Sequence, residues 1–324
     1  MADHKGTVLY MAPMQGVTSA AYRNEYSRHF DGYDYAMSPY IKTRNANRVK
    51  IRGIRDILPE KNNARFKLIP QILSKTSKDF ITLAKGMFDL GYETVNWNLG
   101  CPLARIRKKM RGSGLLPFTE KILEFLNKVI PAIPNQVSLK LRLGSEDSGD
   151  IFNLLPPLND LPLKEIIIHP RTGKQMYDGT ADVSSFEKSL SLTRHSVVYN
   201  GDIDSFEKYE YLAGRFPSVS RWMIGRGGIV DPFLPEEIKA LRRSARHEKL
   251  SRYREFHNAV FVSMQKELSG PGHLLGKMKE YWRYWSKAFE EGDRLFLTLS
   301  RTKNVNKYLS LVEKFFRGKP GMAV

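Results

Sequence analysis

Eight short β-rich runs recur along the chain, each separated from the next by a stretch whose apolar residues follow helical spacing. The runs are Val8–Met14, Tyr33–Tyr40, Phe66–Leu73, Thr94–Cys101, Val137–Leu143, Glu165–His169, Ser196–Asn200 and Arg221–Ile224. Between them, Lys78–Leu90 follows Ser77 as a possible N-cap, and Thr119–Val129 has Thr119 in the same role. Strand and helix in strict alternation predict a parallel sheet of the α/β class, because a parallel partner is reached only through a crossover. Eight such units close naturally into a TIM (β/α)8 barrel, with an open doubly wound sheet as the competing arrangement.

After Pro235 the alternation stops, and from about Glu236 to Lys314 only helical patterns remain. The 324 residues exceed the ~100–200 of a typical single domain. The chain therefore divides into a barrel over residues 1–235 and a small all-helical C-terminal domain over 236–324.

A barrel carries its chemistry on the loops that follow the carboxyl ends of the strands. Seven polar clusters fall at that register: Pro13-Met14-Gln15, Gln71, Asn98 to Pro102, Lys140 with Arg142, His169 with Arg171, Asn200-Gly201-Asp202 and Gly225-Arg226-Gly227. Glycines after the seventh and eighth strands suit a phosphate held by main-chain N–H groups, with Arg226 adding charge, although plain turn chemistry explains either glycine alone. No Gly-x-Gly-x-x-Gly opens a βαβ unit and no P-loop is present, which disfavours a Rossmann site or a P-loop NTPase.

Lys140 and Arg142 alternate with Leu139, Leu141 and Leu143, so both cations face one side of their strand. If that side is the barrel interior they need an electron-rich partner, such as a flavin ring whose edge gains negative charge on reduction. If it is the outer face they meet carboxylates on the helices. Gln71 offers both donor and acceptor, and His169 tops its strand as a possible donor. The single cysteine, Cys101, can form neither an internal disulfide nor, by itself, a thiolate metal site. A thiol with an unperturbed pKa of ~8.5 is mostly protonated at neutral pH and suits a proton donor, while a thiolate nucleophile is the other open role.

Charge points to the partner. Lys and Arg total 52 against 34 Asp and Glu, a net +18, which implies a polyanion or an anionic membrane surface. From Leu241 to Val324 there are 18 Lys or Arg against 8 Asp or Glu, so over half the surplus lies in the last quarter. The stretch Lys277 to Trp285 interleaves Lys277, Lys279 and Arg283 with Tyr281, Trp282, Tyr284 and Trp285. That mixture fits phosphate contact with base stacking, or an amphipathic helix whose aromatics turn inward. No apolar run of ~18 residues exists, and the opening Met1 to Lys5 lacks a signal-peptide core, so a cytoplasmic protein is expected.

Taken in order, Ala12-Pro13-Met14, Asn98-Leu99-Gly100-Cys101-Pro102, Lys140-Leu141-Arg142, His169-Pro170-Arg171-Thr172 with Gln175, Tyr177 and Gly179, Asn200-Gly201-Asp202 and Gly225-Arg226-Gly227 resemble the tRNA dihydrouridine synthases. The resemblance runs from Val8 to about Pro232 and is weaker beyond. It implies an FMN enzyme, reduced by NADPH, that saturates the C5=C6 bond of a uridine in tRNA. By position it implies that Pro13, Met14, Gln15, Gln71, Lys140, His169, Asn200, Gly201, Asp202, Gly225 and Arg226 hold FMN. Asn98 then contacts the uracil or flavin edge, Cys101 is the catalytic acid, and Arg142, Arg171, Lys277, Lys279 and Arg283 serve the RNA. A monomer with no metal is expected. Two alternatives stay open: an FMN barrel acting on a small enone or free pyrimidine, and a non-catalytic RNA-binding barrel.

Overall fold

A computed structural model of the chain describes residues 6–43, 51–244 and 246–324. The opening residues Met1 to Lys5, read above for a signal sequence, lie outside the described residues.

The strands are β1 (Val8–Met11), β2 (Tyr35–Met37), β3 (Ile41–Lys42), β4 (Lys67–Ile69), β5 (Gln71–Leu73), β6 (Thr94–Leu99), β7 (Gln136–Gly144), β8 (Leu163–Thr172), β9 (Val197–Tyr199) and β10 (Arg221–Ile224). All pair in parallel, in the order β3-β5-β6-β7-β8-β9-β10-β1-β2-β4. The ten pieces make eight barrel strands. The expected second strand is interrupted between β2 and β3, and the expected third is interrupted at Pro70, which has no N–H to give the ladder. Because β2 pairs β4 while β3 pairs β5, the two ends of the strand order meet and the parallel sheet curls round on itself.

Alternation along the strands separates two layers. On β6, Trp97 points outward and stacks on Phe125 of the helix Thr119–Val129, with ring centroids 3.8 Å apart. Asn96 points inward, where its amide donates to Ser138 on β7 at 2.8 Å. Tyr10, Met37, Ile69, Ile167, Val198 and Met223 form the apolar filling of the barrel. At its amino-terminal end the Tyr10 hydroxyl donates to Glu165 at 2.7 Å, Arg221 donates to Tyr10 at 2.7 Å, and Tyr35 stacks on Tyr10. These side chains plug that end.

The helix after β5 runs Ser77–Asp89 with Thr76, not Ser77, in the cap position. Likewise Phe118 precedes the helix Thr119–Val129, so Thr119 is its first helical residue and not its cap. Beyond the barrel come the helices Leu234–Ala240, Arg246–Glu267, Pro271–Trp285, Gly292–Ser300 and Val305–Arg317. Their apolar faces join the barrel's outer core without a break: Phe256 meets Tyr22 and Tyr26 of the helix Ala20–His29 edge-on. Among the described residues no helix is long and apolar enough to cross a membrane.

Candidate active site

The carboxyl ends of the strands bring together most of the residues singled out from sequence. Gln71 is buried at the start of β5, immediately after the break at Pro70. Its amide donates to Asn96 at 2.8 Å, and its carbonyl oxygen accepts from the Asn98 amide at 2.7 Å. The Asn98 carbonyl oxygen in turn accepts the main-chain N–H groups of Gly100 and Cys101, at 3.1 and 2.9 Å. One chain of carboxamides therefore runs from the barrel interior to the cysteine loop.

Cys101 is 7% exposed, lying against Leu73, Ile106, Leu103 and Tyr40. Its backbone is fixed from the far side of the loop, where Ser113 donates its N–H and its hydroxyl to the Cys101 carbonyl. Gly112, at φ +57°, sits so close that a Cβ would meet the Cys101 Cβ at 2.8 Å, which explains the glycine. Burial pushes the thiol pKa up, opposed by the Leu103 N–H, the Tyr40 hydroxyl and the charges of Arg142 and Lys42. The Tyr40 hydroxyl is itself raised to about 12 by burial and by Cys101. Cys101 is thus a protonated thiol. Tyr40 was absent from the residues expected at the site, although it closes the second β-rich run and the strand-end rule would have included it.

Lys140 and Arg142 do face inward. Lys140 donates to the Asn200 carbonyl oxygen at 2.6 Å, and no carboxylate pairs with it among the described residues. Burial, with the Arg142 charge, brings its pKa down to about 7. Arg142, buried, donates to the carbonyls of Gly100 and Thr172 at 3.0 and 2.8 Å and lies 5.3 Å from the Tyr177 ring centre. His169, 8% exposed, faces Arg171 across 3.1 Å. Burial and the cations Arg142, Lys140, Arg171 and Arg226 drive its pKa well down, so it is a neutral imidazole.

Asn200 donates to the Met223 carbonyl at 2.8 Å and links two strand ends. A Cβ on Gly201 would meet Ala181 at 3.0 Å, so the turn is tight and a side chain there would press on its neighbours. Asp202, at φ +46°, accepts from Arg171 at 2.6 Å, from Arg226 at 3.2 Å and from the Ala181 N–H at 2.8 Å. Burial opposes ionisation of Asp202, but these donors hold its carboxyl below the usual range. Gly225 precedes the short helix Arg226–Val230, and the half-exposed Arg226 lies 5.0 Å from the Tyr177 ring centre. Pro13 and Met14 are half-buried at the end of β1, and Gln15 is exposed.

Three of the cations assigned to the RNA have partners inside the protein. Arg171, 1% exposed, donates inside the protein to Asp202, Gly179 and Asp178 and faces His169. Lys277 and Lys279 hold main-chain carbonyls: Lys277 that of Gly16 at 2.6 Å, Lys279 those of Ser300 and Thr302 at 3.0 and 2.6 Å. Of the three tail cations only Arg283 stays exposed. The aromatics between them pack inward, with Tyr281, Trp282 and Trp285 fully buried, so the stacking role falls to packing.

The likeness to known proteins extends over the same ground. A family model described as dihydrouridine synthase matches residues 10–317. The tRNA-dihydrouridine synthase B of Pasteurella multocida is 26% identical over 236 residues, covering 72% of this chain and 69% of that protein. The Vibrio cholerae protein of the same name is 28% identical over 232 residues, covering 71% and 70%. Among solved structures, the old yellow enzyme homologue from Zymomonas mobilis matches at TM-score 0.53 and 14% identity, covering 73% of this chain and 89% of that one. Morphinone reductase matches at 0.51 and 11%, covering 73% and 86%. Histamine dehydrogenase from Rhizobium sp. 4-9 matches at 0.57 and 11%, covering 79% of this chain, which spans about half (48%) of that enzyme. These structures share the barrel fold. With the family model spanning nearly the whole chain and the motif residues gathered at one end of the barrel, this protein belongs to the dihydrouridine synthase family.

Proposed function

We propose that the chain reduces the C5=C6 bond of a uridine in tRNA to dihydrouridine, with FMN as cofactor and NADPH as reductant, in the cytoplasm and as a monomer. The division into a catalytic barrel over 1–235 and an RNA-binding helical domain over 236–324 belongs to the same reading. Its main support is the carboxamide chain Gln71–Asn98–Cys101, which ends at a protonated thiol, together with the inward-facing Lys140, which pairs with no carboxylate among the described residues.

The donor set fits FMN. Lys140, with its depressed pKa, gains most from a ring edge that becomes anionic. Neutral His169, Gln71 and Asn98 supply hydrogen-bonding groups for the ring and the pyrimidine. Gly201 and Gly225 keep the main chain bare near Arg226, the exposed cation suited to the phosphate. Pro13, Met14 and Gln15 border the same opening.

Bound and reduced, FMN supplies a hydride to C6 of the uracil. The electron pair of the C5=C6 bond moves toward the C4 carbonyl, and C5 then takes a proton from the Cys101 sulfur, which is reprotonated by solvent. Asn98 sets the cysteine main chain for that transfer, and Tyr40 faces the sulfur. Arg142 anchors the Gly100 carbonyl at the base of the loop. The target base has to be everted from the folded RNA to reach this opening. Of Lys277, Lys279 and Arg283, Arg283 is the one left exposed to phosphate.

An absorption spectrum is the direct test. Purified protein with flavin bands near ~450 nm that bleach with NADPH, and that forms dihydrouridine in an unmodified tRNA transcript, supports the reading. A colourless protein that FMN cannot reconstitute overturns it, and flavin reduction coupled only to a small enone moves the activity elsewhere.

A further inference from the structure

The helix Pro271–Trp285 reaches back to the opening of the barrel, and what it grips there is main chain. The Lys277 ammonium donates to the Gly16 carbonyl at 2.6 Å, and the Tyr281 hydroxyl donates to the Val17 carbonyl at 2.9 Å. Glu280 pairs with Lys277 at 2.5 Å and stands over Gly16, where a Cβ would meet its carboxylate at 3.1 Å. Two consecutive carbonyls of the loop after β1 are thus held from the C-terminal region.

The tyrosine contact is sheltered, and the lysine contact lies at the surface beside it. Tyr281 is buried, its ring stacked between Tyr22 and Trp285, and the Lys277 side chain is 21% exposed. The lysine bond is charge-assisted, which makes it stronger than a neutral one of the same geometry. The loop has some support of its own, since the Met14 N–H donates to Thr18 and the Val17 N–H to the Met14 carbonyl. Gly16, however, is exposed and at φ +84°, and Lys277 is the group that holds its carbonyl. The helix also packs against the segment Arg226–Val230, so it touches two of the stretches assigned to the cofactor.

We propose that Lys277 and Tyr281 are positioning residues of the cofactor site: by fixing the backbone of Met14–Val17 they make the helical region part of the flavin pocket. This rests on the flavin reading above. A lysine in a basic tail invites assignment to RNA, but here the ammonium is engaged with the barrel loop and with Glu280.

The test uses the full-length chain stripped of flavin. FMN is titrated in and followed by fluorescence quenching, the visible circular dichroism of the bound flavin is recorded, and binding of an unmodified tRNA transcript is measured across a salt series. Lys277→Gln should weaken FMN about tenfold, the scale of one hydrogen bond from a charged donor. It should also alter the flavin dichroism while leaving tRNA affinity and its salt slope unchanged, and Lys277→Arg should restore much of the loss. Tyr281→Phe keeps the stacked ring and removes only the hydroxyl, so it should show a smaller loss of the same kind and carries the test if Lys277→Gln does not fold. Wild-type FMN affinity and dichroism in the variants, or a Lys277→Gln defect confined to tRNA binding, overturns the inference. Wild-type protein that takes up no FMN removes the flavin reading itself and this inference with it.

Discussion

Asn98 and Cys101 share one hydrogen bond that ties catalytic geometry to the barrel wall: the carbonyl oxygen of the Asn98 side chain accepts the Cys101 main-chain N–H at 2.9 Å. Because the Asn98 amide is anchored on Gln71 at 2.7 Å, the cysteine loop inherits its position from a residue inside the sheet. Asn98→Ala should lower turnover by ~10²-fold, the loss that a small misplacement of a reacting group produces. Asn98→Asp keeps an acceptor for the loop but loses the donor to Gln71, and it should fall between Ala and wild type. Single-turnover rates of dihydrouridine formation would check the order.

The buried thiol gives a second expectation. Cys101→Ala should retain FMN and tRNA binding and lose ~10²–10⁴-fold in turnover, the range of general acid catalysis. As Cys101 is the only cysteine, alkylation by iodoacetamide reports on it alone. With its pKa raised by burial, labelling should be slow at neutral pH and should climb only above the pH at which a free thiol reacts. Rapid labelling at pH 7, followed by mass, would contradict the protonated state.

Lys140 makes the flavin-free protein sensitive to pH. Its pKa of about 7 in the fold lies below the ~10.4 of an unfolded lysine, so between those values the unfolded chain binds more protons. The penalty of holding the ammonium is complete below pH 7 and is relieved as pH rises toward 10. Lys140→Met should remove that slope, melt higher than wild type at pH 6 by several degrees, and bind FMN more weakly. Thermal melts of the apoprotein at pH 6 and pH 9 would read out the difference.

Arg283 is the exposed tail cation of the three considered. Arg283→Ala should weaken tRNA uniformly across sequences and reduce the slope of log K against log salt by ~1. Lys279→Gln, which loses bonds to Ser300 and Thr302, should lower the melting temperature instead and leave the slope alone. Filter binding over a salt series, with melts of both proteins, separates the two.

How much of this was readable beforehand varies with the kind of signal. That Lys140 and Arg142 share one face was legible because a strand's alternation leaves only two faces, whereas the choice between interior and outer face was left open, since a barrel strand is apolar on both. The split of two barrel strands was half legible: Pro70 marks the break in one, while nothing as explicit marks the gap between Met37 and Ile41. The internal partners of Arg171 and Lys277 were not legible, since a charged residue near a site reads as a ligand contact and some of those partners lie more than 200 positions away. The aromatics of the tail were left open between stacking and packing, because an amphipathic helix and a stacking surface share one composition, and three of them are buried. Tyr40 was a different failure, a residue at the right register but of a type that draws no notice.

The plug of Tyr10, Glu165 and Arg221 fills the amino-terminal end, so among the described residues the carboxyl end, where the motif residues gather, is the side left for a ligand. A nucleotide turned into it has to back out by the route it came, so reduced and unreduced RNA contend for one entrance. Release of the finished transcript and admission of the next are therefore the same gate opening, and the modified RNA should act as a competitor of its own precursor.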